Sequence, residues 1–476
     1  MRRHLQLLAA LCLFAGPHAL AAAPTPLSPG AATLAAYLRI DTTHPAGNER
    51  AGVELLAAAL RAGGIEPQIL VSPLGRANLY ARLPATATAP GLAAETIVLL
   101  HHIDTVAAGA GWKHPALAGE VHDGELWGRG AIDAKGLGVA QLMAFLDLAR
   151  SREPRRRAVV FLAAADEEVG GGEGIGWLLA AHPELFVNVA AVLNEGGVNK
   201  AVAGRPLFWG IEVDQKRPLW MEVRAAGRPG HASAANPESA THRLVEGLAR
   251  LLAAPRPWRV TPAAHDFLAG LARFDPQARG AYAELRALAA ATPGAVSDGS
   301  AATVGRRSFP LPGFESLLTD TLQVTTLAGS GEINVVAGEA RAGLDVRLLP
   351  DTDEKMFLGE VERVLGPGLA VEVLLSAPAT SPSRSDSPVY RVLAAELARD
   401  NGAPVVPAFI PAFTDSRFFR ARGIAAYGLS PFALDGLTLR TVHAADERIP
   451  LAVFDRGVAT MSRVVRALAR LDPAAP

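Results

Sequence analysis

Three unbroken apolar runs, each of strand length and each ending abruptly in a polar cluster, constrain this chain more than any other feature. Residues 97–100 (IVLL) run into His101, His102, Ile103 and Asp104. Residues 158–164 (AVVFLAA) run towards Asp166, Glu167 and Glu168, and residues 189–193 towards Asn194 and Glu195. A segment apolar at every position fits a strand covered on both faces, as in the middle of a parallel sheet. Helical patterns at 137–149 and 174–181 separate the runs, and strands alternating with helices imply a mostly parallel α/β sheet. Ligands gather outside the carboxyl ends of the strands in such sheets, which is where all three polar clusters fall.

From about residue 216 the pattern changes. Residues 219–225 alternate like a half-exposed strand, and 237–252 form an amphipathic helix. Strands at 317–327 and 339–349, a helix at 354–365 and a strand at 369–375 follow. This β-α-β-β-α-β order predicts a ferredoxin-like α+β domain with an antiparallel sheet. An Ala-rich helical stretch, broken at Pro276 and Pro293, interrupts it. After a Ser/Pro-rich joint the α/β pattern resumes. The expected division is a leader at 1–23, an α/β domain in two parts at 29–216 and 378–472, and an inserted domain at 217–377 carrying a helical insertion at 255–300. A length of 476 residues suits two cores.

The amino terminus reads as a secretory signal peptide. MRRH is basic, LQLLAALCLFAG is apolar but too short to span a bilayer, and Ala19-Leu20-Ala21 fits a cleavage site, with Ala23 as an alternative. The expected location is therefore periplasmic or secreted. The only cysteine, Cys12, lies in this leader. The mature chain would have no thiol, so any metal must be held by histidine and carboxylate. A net charge of −1 gives no reason to expect nucleic acid or an anionic membrane as partner. No later stretch suits stable membrane insertion.

The polar clusters supply a metal-ligand set. His102 is the first candidate, with Asp104 expected to accept a hydrogen bond from its far ring nitrogen and fix its tautomer. Asp133, in the glycine-rich WGRGAIDAKG, either caps the helix that follows or bridges two metals with its two oxygens. Glu167 and Glu168 are adjacent, and neighbouring side chains outside a helix diverge. Glu168 is expected to bind metal, and Glu167 to act as general base on water made acidic by the metal. Glu195 would ligate at the next strand end, and His443, far along the chain in TVHAADERIP, would complete five. His102 and Glu195 would then share one metal, Glu168 and His443 the other, with Asp133 between them.

Taken in order, HIDTV, GRGAIDAKG, DEEVG, NEGG, GRPGHAS, INVVAGEA, TDSRFF and VHAADER resemble the co-catalytic zinc hydrolases that include glutamate carboxypeptidase, aminoacylase, succinyl-diaminopimelate desuccinylase and carboxypeptidase S. NEGG and the helical insertion look most like the carboxypeptidase S branch. Asn194 departs from the Asp that many relatives have before the ligand Glu.

The resemblance implies a zinc-hydrolase α/β catalytic domain and an inserted lid/dimerisation domain. It also implies two Zn2+ per subunit (Co2+ or Mn2+ as alternatives) and homodimerisation through the lid. It carries the ligand roles onto His102, Asp133, Glu168, Glu195 and His443, with Asp104 as orienter and Glu167 as base. It gives His231 the role of polarising the scissile carbonyl, often in the partner subunit's site. Asn334 and Arg347, with Arg417 as a second arginine, match positions that hold a substrate carboxylate. The expected substrate is a small peptide, cleaved by a carboxypeptidase- or dipeptidase-like exopeptidase. The alternatives are an N-acyl amino acid amidohydrolase and, in another class, a catalytically silent scaffold.

Overall fold

A computed structural model describes residues 26–45, 47–87, 94–291 and 314–472 of the chain. The leader at 1–23, and residues 292–300 of the helical insertion, lie outside the described residues.

The chain enters through α1 (Pro29–Leu38), where Ser28 caps the first turn and Pro29 occupies a position that needs no N–H donor. α2 (Glu49–Ala62) follows and stops at the Gly63-Gly64 pair. The hairpin β1 (Gln68–Val71) and β2 (Ala77–Leu83) leads into β3 (Thr96–His102), and α3 (Lys135–Arg150) precedes β4 (Ala158–Ala164). Every residue of β3 and β4 is buried, as the apolar runs 97–100 and 158–164 within them require. β5 (Val189–Asn194), β6 (Val198–Val202) and β7 (Arg205–Gln215) complete the first part.

β7 runs straight into the inserted unit, with Lys216 alone between it and β8 (Arg217–Ala226). The inserted sheet contains β8, β9 (Thr321–Ala328), β10 (Glu339–Leu348) and β11 (Leu369–Ser376), in the spatial order β9-β10-β8-β11. All of its pairings are antiparallel. α4 (Ala240–Ala253) and α7 (Glu354–Leu365) pack on one face, covering the alternating Leu219, Met221, Val223 and Ala225 of β8 and Ala342, Leu344, Val346 and Leu348 of β10. The period of two therefore sends Trp220, Asp345 and Arg347 to the opposite face, with Trp220 paired to Asp345 and Pro218 to Arg347.

The helical insertion supplies α5 (Pro262–Ala272) and α6 (Pro276–Ala291), separated where Pro276 starts a new helix. Ala264, Phe267, Leu268 and Leu271 cluster with Phe208 of β7 and with Val406, Ala408 and Phe409. These last belong to β12 (Val405–Ile410), the final strand of the large sheet. The insertion thus covers one face of the sheet at this edge strand.

After β11 the chain returns through α8 (Pro388–Ala398), β12, β13 (Ala426–Gly428) and α9 (Leu451–Arg470). α9 buries Phe454, Gly457, Met461, Val464, Val465 and Leu468 along one stripe. The nine-stranded sheet has the order β1-β2-β4-β3-β5-β13-β7-β12, with β6 beside β7. Its centre, β4-β3-β5-β13, is parallel, and antiparallel strands are added at both flanks.

A buried ion pair ties the returning segment down. Arg420 donates from both terminal nitrogens to Glu212 of β7 at 2.6 and 2.8 Å, and also to the Ala426 carbonyl of β13. Both side chains are almost fully buried. Removing one partner leaves a desolvated charge. Arg420→Met should therefore lower unfolding stability by about 3–5 kcal/mol in urea titration, and a double variant with Glu212→Leu should recover much of that loss.

Candidate metal centre

β3 carries two histidines to opposite fates. His101 is buried between Tyr37 and Phe161, its ring centroid 5.4 Å from the Phe161 ring, and burial pushes its pKa down to about 3. Gly138 of α3 leaves room for that ring, since an added Cβ would lie 2.2 Å from it. His102, one residue on, turns to the strand end. Its Nδ1 lies 2.9 Å from the Asp104 carbonyl oxygen, which fixes Nδ1 as the donor and leaves Nε2 free to bind.

Asp133 stands in the middle of the constellation. One of its oxygens is 2.9 Å from His102 Nε2, and the other is 3.1 Å from His443 Nε2. Glu195, from the end of β5, approaches His102 Nε2 at 3.6 Å, and Glu168 approaches His443 Nε2 at 3.2 Å. Asp133 thus offers one oxygen to each side of a six-residue cluster that Glu167 completes. Ligand atoms of His102, Glu167 and Glu195, and of His102, Asp133 and Glu168, fall within 4.8 Å of one another. His443 is half exposed, at the mouth, on a backbone with φ of 59°. Glu167 is buried, and its Oε1 has no hydrogen-bond partner among the described residues.

Electrostatics agree with a cation-binding role. Burial, then the neighbouring Glu195, push the Glu167 carboxyl well above its ordinary range. Burial brings Glu195 up to about 7. His443 rises to about 10 through its hydrogen bonds to Asp133 and Glu168. Against the cost of burial, Glu195 and the other carboxylates hold His102 well above its usual value. Against the same cost, the two imidazoles hold Asp133 well below its own. Carboxylates that repel one another and imidazoles that share them are satisfied together when divalent cations replace the protons. The donor set, all imidazole and carboxylate, fits zinc and its borderline neighbours.

The supports of the cluster differ in part from expectation. Asp104 does not reach His102 with its carboxylate; the closest approach of that oxygen is 3.7 Å. Its two oxygens instead accept the backbone N–H groups of Glu167 and Glu168 at 3.1 and 3.0 Å. Two amide donors at the start of a tight turn attract the carboxylate more strongly, and only the main chain of Asp104 is left for the imidazole. Asp133 makes no side-chain cap to α3, whose entry residue is Ala134.

Sequence reasoning missed Glu447, which lies within VHAADER. It is fully buried and accepts the N–H groups of Gly130, Ile132 and Asp133 at 3.1, 2.8 and 3.2 Å, and Arg129 at 2.6 Å. It fastens the Asp133 loop to the loop that bears His443.

The cluster opens into a cavity of about 440 Å3, lined also by Trp220, Arg347, Phe413 and Thr414. Arg347, expected to hold a substrate carboxylate, is therefore at the site. Arg417 is not. It is buried, and it donates to the carbonyls of Gly170 and Thr414 at 2.7 and 3.0 Å. The short helix Ser416–Arg420 directs it inward, so it clamps the loops instead of meeting solvent. His231 and Asn334 also stand apart from the cavity lining. They are exposed on neighbouring stretches of the inserted domain, where the Ala232 N–H donates to the Asn334 carbonyl.

A model of the peptidases of family M20/M25/M40 matches residues 98–467, a span that contains every candidate ligand. The chain belongs to peptidase family M20/M25/M40. It is 27% identical to aminoacylase-1 of Homo sapiens over 450 residues, covering 92% of this chain and 95% of that one. It is 29% identical to succinyl-diaminopimelate desuccinylase of Methylorubrum extorquens over 406 residues, covering 82% and 85%. Among solved structures, an M20 family metallo-carboxypeptidase from Sulfolobus solfataricus shares the fold with a TM-score of 0.67 at 18% identity, covering 93% of this chain and all of that one. As an M20 peptidase the chain is a metal-dependent hydrolase.

Two outcomes are expected. Glu447→Gln should weaken divalent-metal binding by about 10–100-fold in chelator competition, because the loop presenting Asp133 loses its anchor. Metal affinity should also keep falling as the pH drops through about 7, where a proton on Glu195 adds to the one that His443 takes up below about 10. The same titration on either side of that pH measures it.

Proposed function

We propose that the chain is a secreted or periplasmic exopeptidase, of carboxypeptidase or dipeptidase type, that cleaves an amide bond next to a free carboxylate with two Zn2+ ions per subunit. One observation carries the reading: a single cavity joins the carboxylate–imidazole cluster to the guanidinium of Arg347. His102 and Glu195 would hold one cation and Glu168 and His443 the other, with an oxygen of Asp133 for each. Such cations supply Lewis acidity to an amide carbonyl and make water nucleophilic near neutral pH.

The chain's own groups do the rest. Glu167, raised in pKa by burial and unpartnered at Oε1, takes a proton from water and returns it to the departing amine. Arg347 gives one edge to Asp345, with Nε and Nη2 donating at 2.6 and 2.7 Å, and Nη1 has no partner among the described residues. That free edge suits a carboxylate.

His231 and Asn334 would act in a second copy's cavity, with His231 donating where the oxyanion develops. Fully exposed Ile333 and part-exposed Val335 beside them support a homodimer through the lid. The basic and apolar leader supports export.

A second reading, hydrolysis of N-acyl amino acids, draws support from the near-complete alignment with aminoacylase-1. Comparing amine release from dipeptides and from N-acyl amino acids separates the two readings. In either case Glu167→Ala should retain its metal by elemental analysis and lose about 10²–10⁴-fold in turnover. A variant of undiminished activity would remove Glu167 from the mechanism.

A further inference from the structure

Beyond the metal ligands, the cavity has a second wall. Trp220 comes from the lid, and Ile410, Pro411, Ala412 and Phe413 come from the end of β12 and the loop after it. The Trp220 and Phe413 rings are 6.0 Å apart and tilted by 59°. Phe413 is held firmly. The guanidinium carbon of Arg347 lies 4.4 Å from its ring centre and that of Arg417 lies 4.6 Å away, while Arg417 also rests 4.4 Å from Phe418. The wall is therefore largely apolar and aromatic, and it touches Arg347, whose Nη1 has no partner among the described residues.

This contact determines which part of a substrate meets the wall. A carboxylate on the free edge of Arg347 brings the attached α-carbon beside the Phe413 ring on which that guanidinium lies. The substituent next to Phe413 and Trp220 is then the side chain of the carboxylate-bearing residue. An acidic side chain there would share the cavity with Glu167, Glu168 and Glu195, and a basic one would share it with Arg347. An apolar one gains burial without losing a hydrogen bond.

We propose that Trp220, Ile410 and Phe413 form the subsite for that side chain, so that the preferred substrates are amides of amino acids with apolar or aromatic side chains. This rests on the proposed hydrolase function and adds its substrate class.

The test uses the metal-loaded protein and N-acetyl derivatives of Phe, Leu, Gly, Asp and Lys, with kcat/KM read from amine release. The Phe and Leu substrates should exceed the Asp and Lys ones by about tenfold or more. Phe413→Ala and Trp220→Ala should each lower the Phe-to-Gly ratio by about tenfold, mostly through KM. Circular dichroism and metal content check that the variants are folded and loaded. A second arm measures the free amino acids by calorimetry, where Phe and Leu should bind about tenfold more tightly than Asp and Lys. Turnover without side-chain preference, a preference for charged side chains, or variants that keep the wild-type ratio would overturn the subsite. No turnover of any amide together with selective binding of Phe and Leu would leave the subsite standing and overturn the hydrolase reading instead.

Discussion

Crowding Asp133, Glu167, Glu168 and Glu195 into one cavity opposes folding, because each carboxylate loses water and meets the charge of the others. Much of the surrounding architecture can be understood as the framework that keeps them there. The parallel strands β3, β4 and β5 deliver their C-terminal residues to one rim. Asp104 holds the turn bearing Glu167 and Glu168 by its two amides. Glu447 holds the loop bearing Asp133 by three more. In both cases a buried carboxylate outside the candidate ligands grips backbone, so the side chains that face the cavity keep their lone pairs.

The Glu447–Arg129 pair illustrates why such anchors are charged. A neutral acceptor could serve one or two amides, but a carboxylate accepts three N–H groups and a guanidinium at once. Arg129 in turn donates to the Ala444 carbonyl, next to His443. Two loops more than three hundred residues apart in sequence are thereby locked in register. The cost of burying the pair is offset by the number of bonds it makes, and the result is a defined geometry for a divided ligand set.

Most of the fold was legible, because burial on both faces leaves a direct trace: 97–100 and 158–164 are apolar throughout, and the structure makes them central strands. The inserted domain was legible through its period of two in β8 and β10. The six residues expected at the metal centre do lie together, since each stood at a strand end or in a distinctive loop. What was not legible involves partners remote in sequence. Nothing near Asp104 shows that two amides sixty residues on will claim its carboxylate, and nothing near Arg417 shows that Gly170 will cover it. Glu447 carries no local signal of its role for the same reason. Phe413 acquires its meaning only when Arg347, from another domain, lies against it.

The passage from β7 to β8 has a mechanical consequence. A single residue, Lys216, joins a strand of the large sheet to a central strand of the small one, and Arg217 bonds to the Ala377 carbonyl where the chain crosses back. The two crossings are thus pinned side by side, at one junction between the sheets. Trp220 and Arg347 sit on neighbouring strands within a few residues of it. Any swing of the small sheet would carry the indole and the guanidinium along the same short arc, so the two would approach or leave the carboxylate cluster together, as a single jaw.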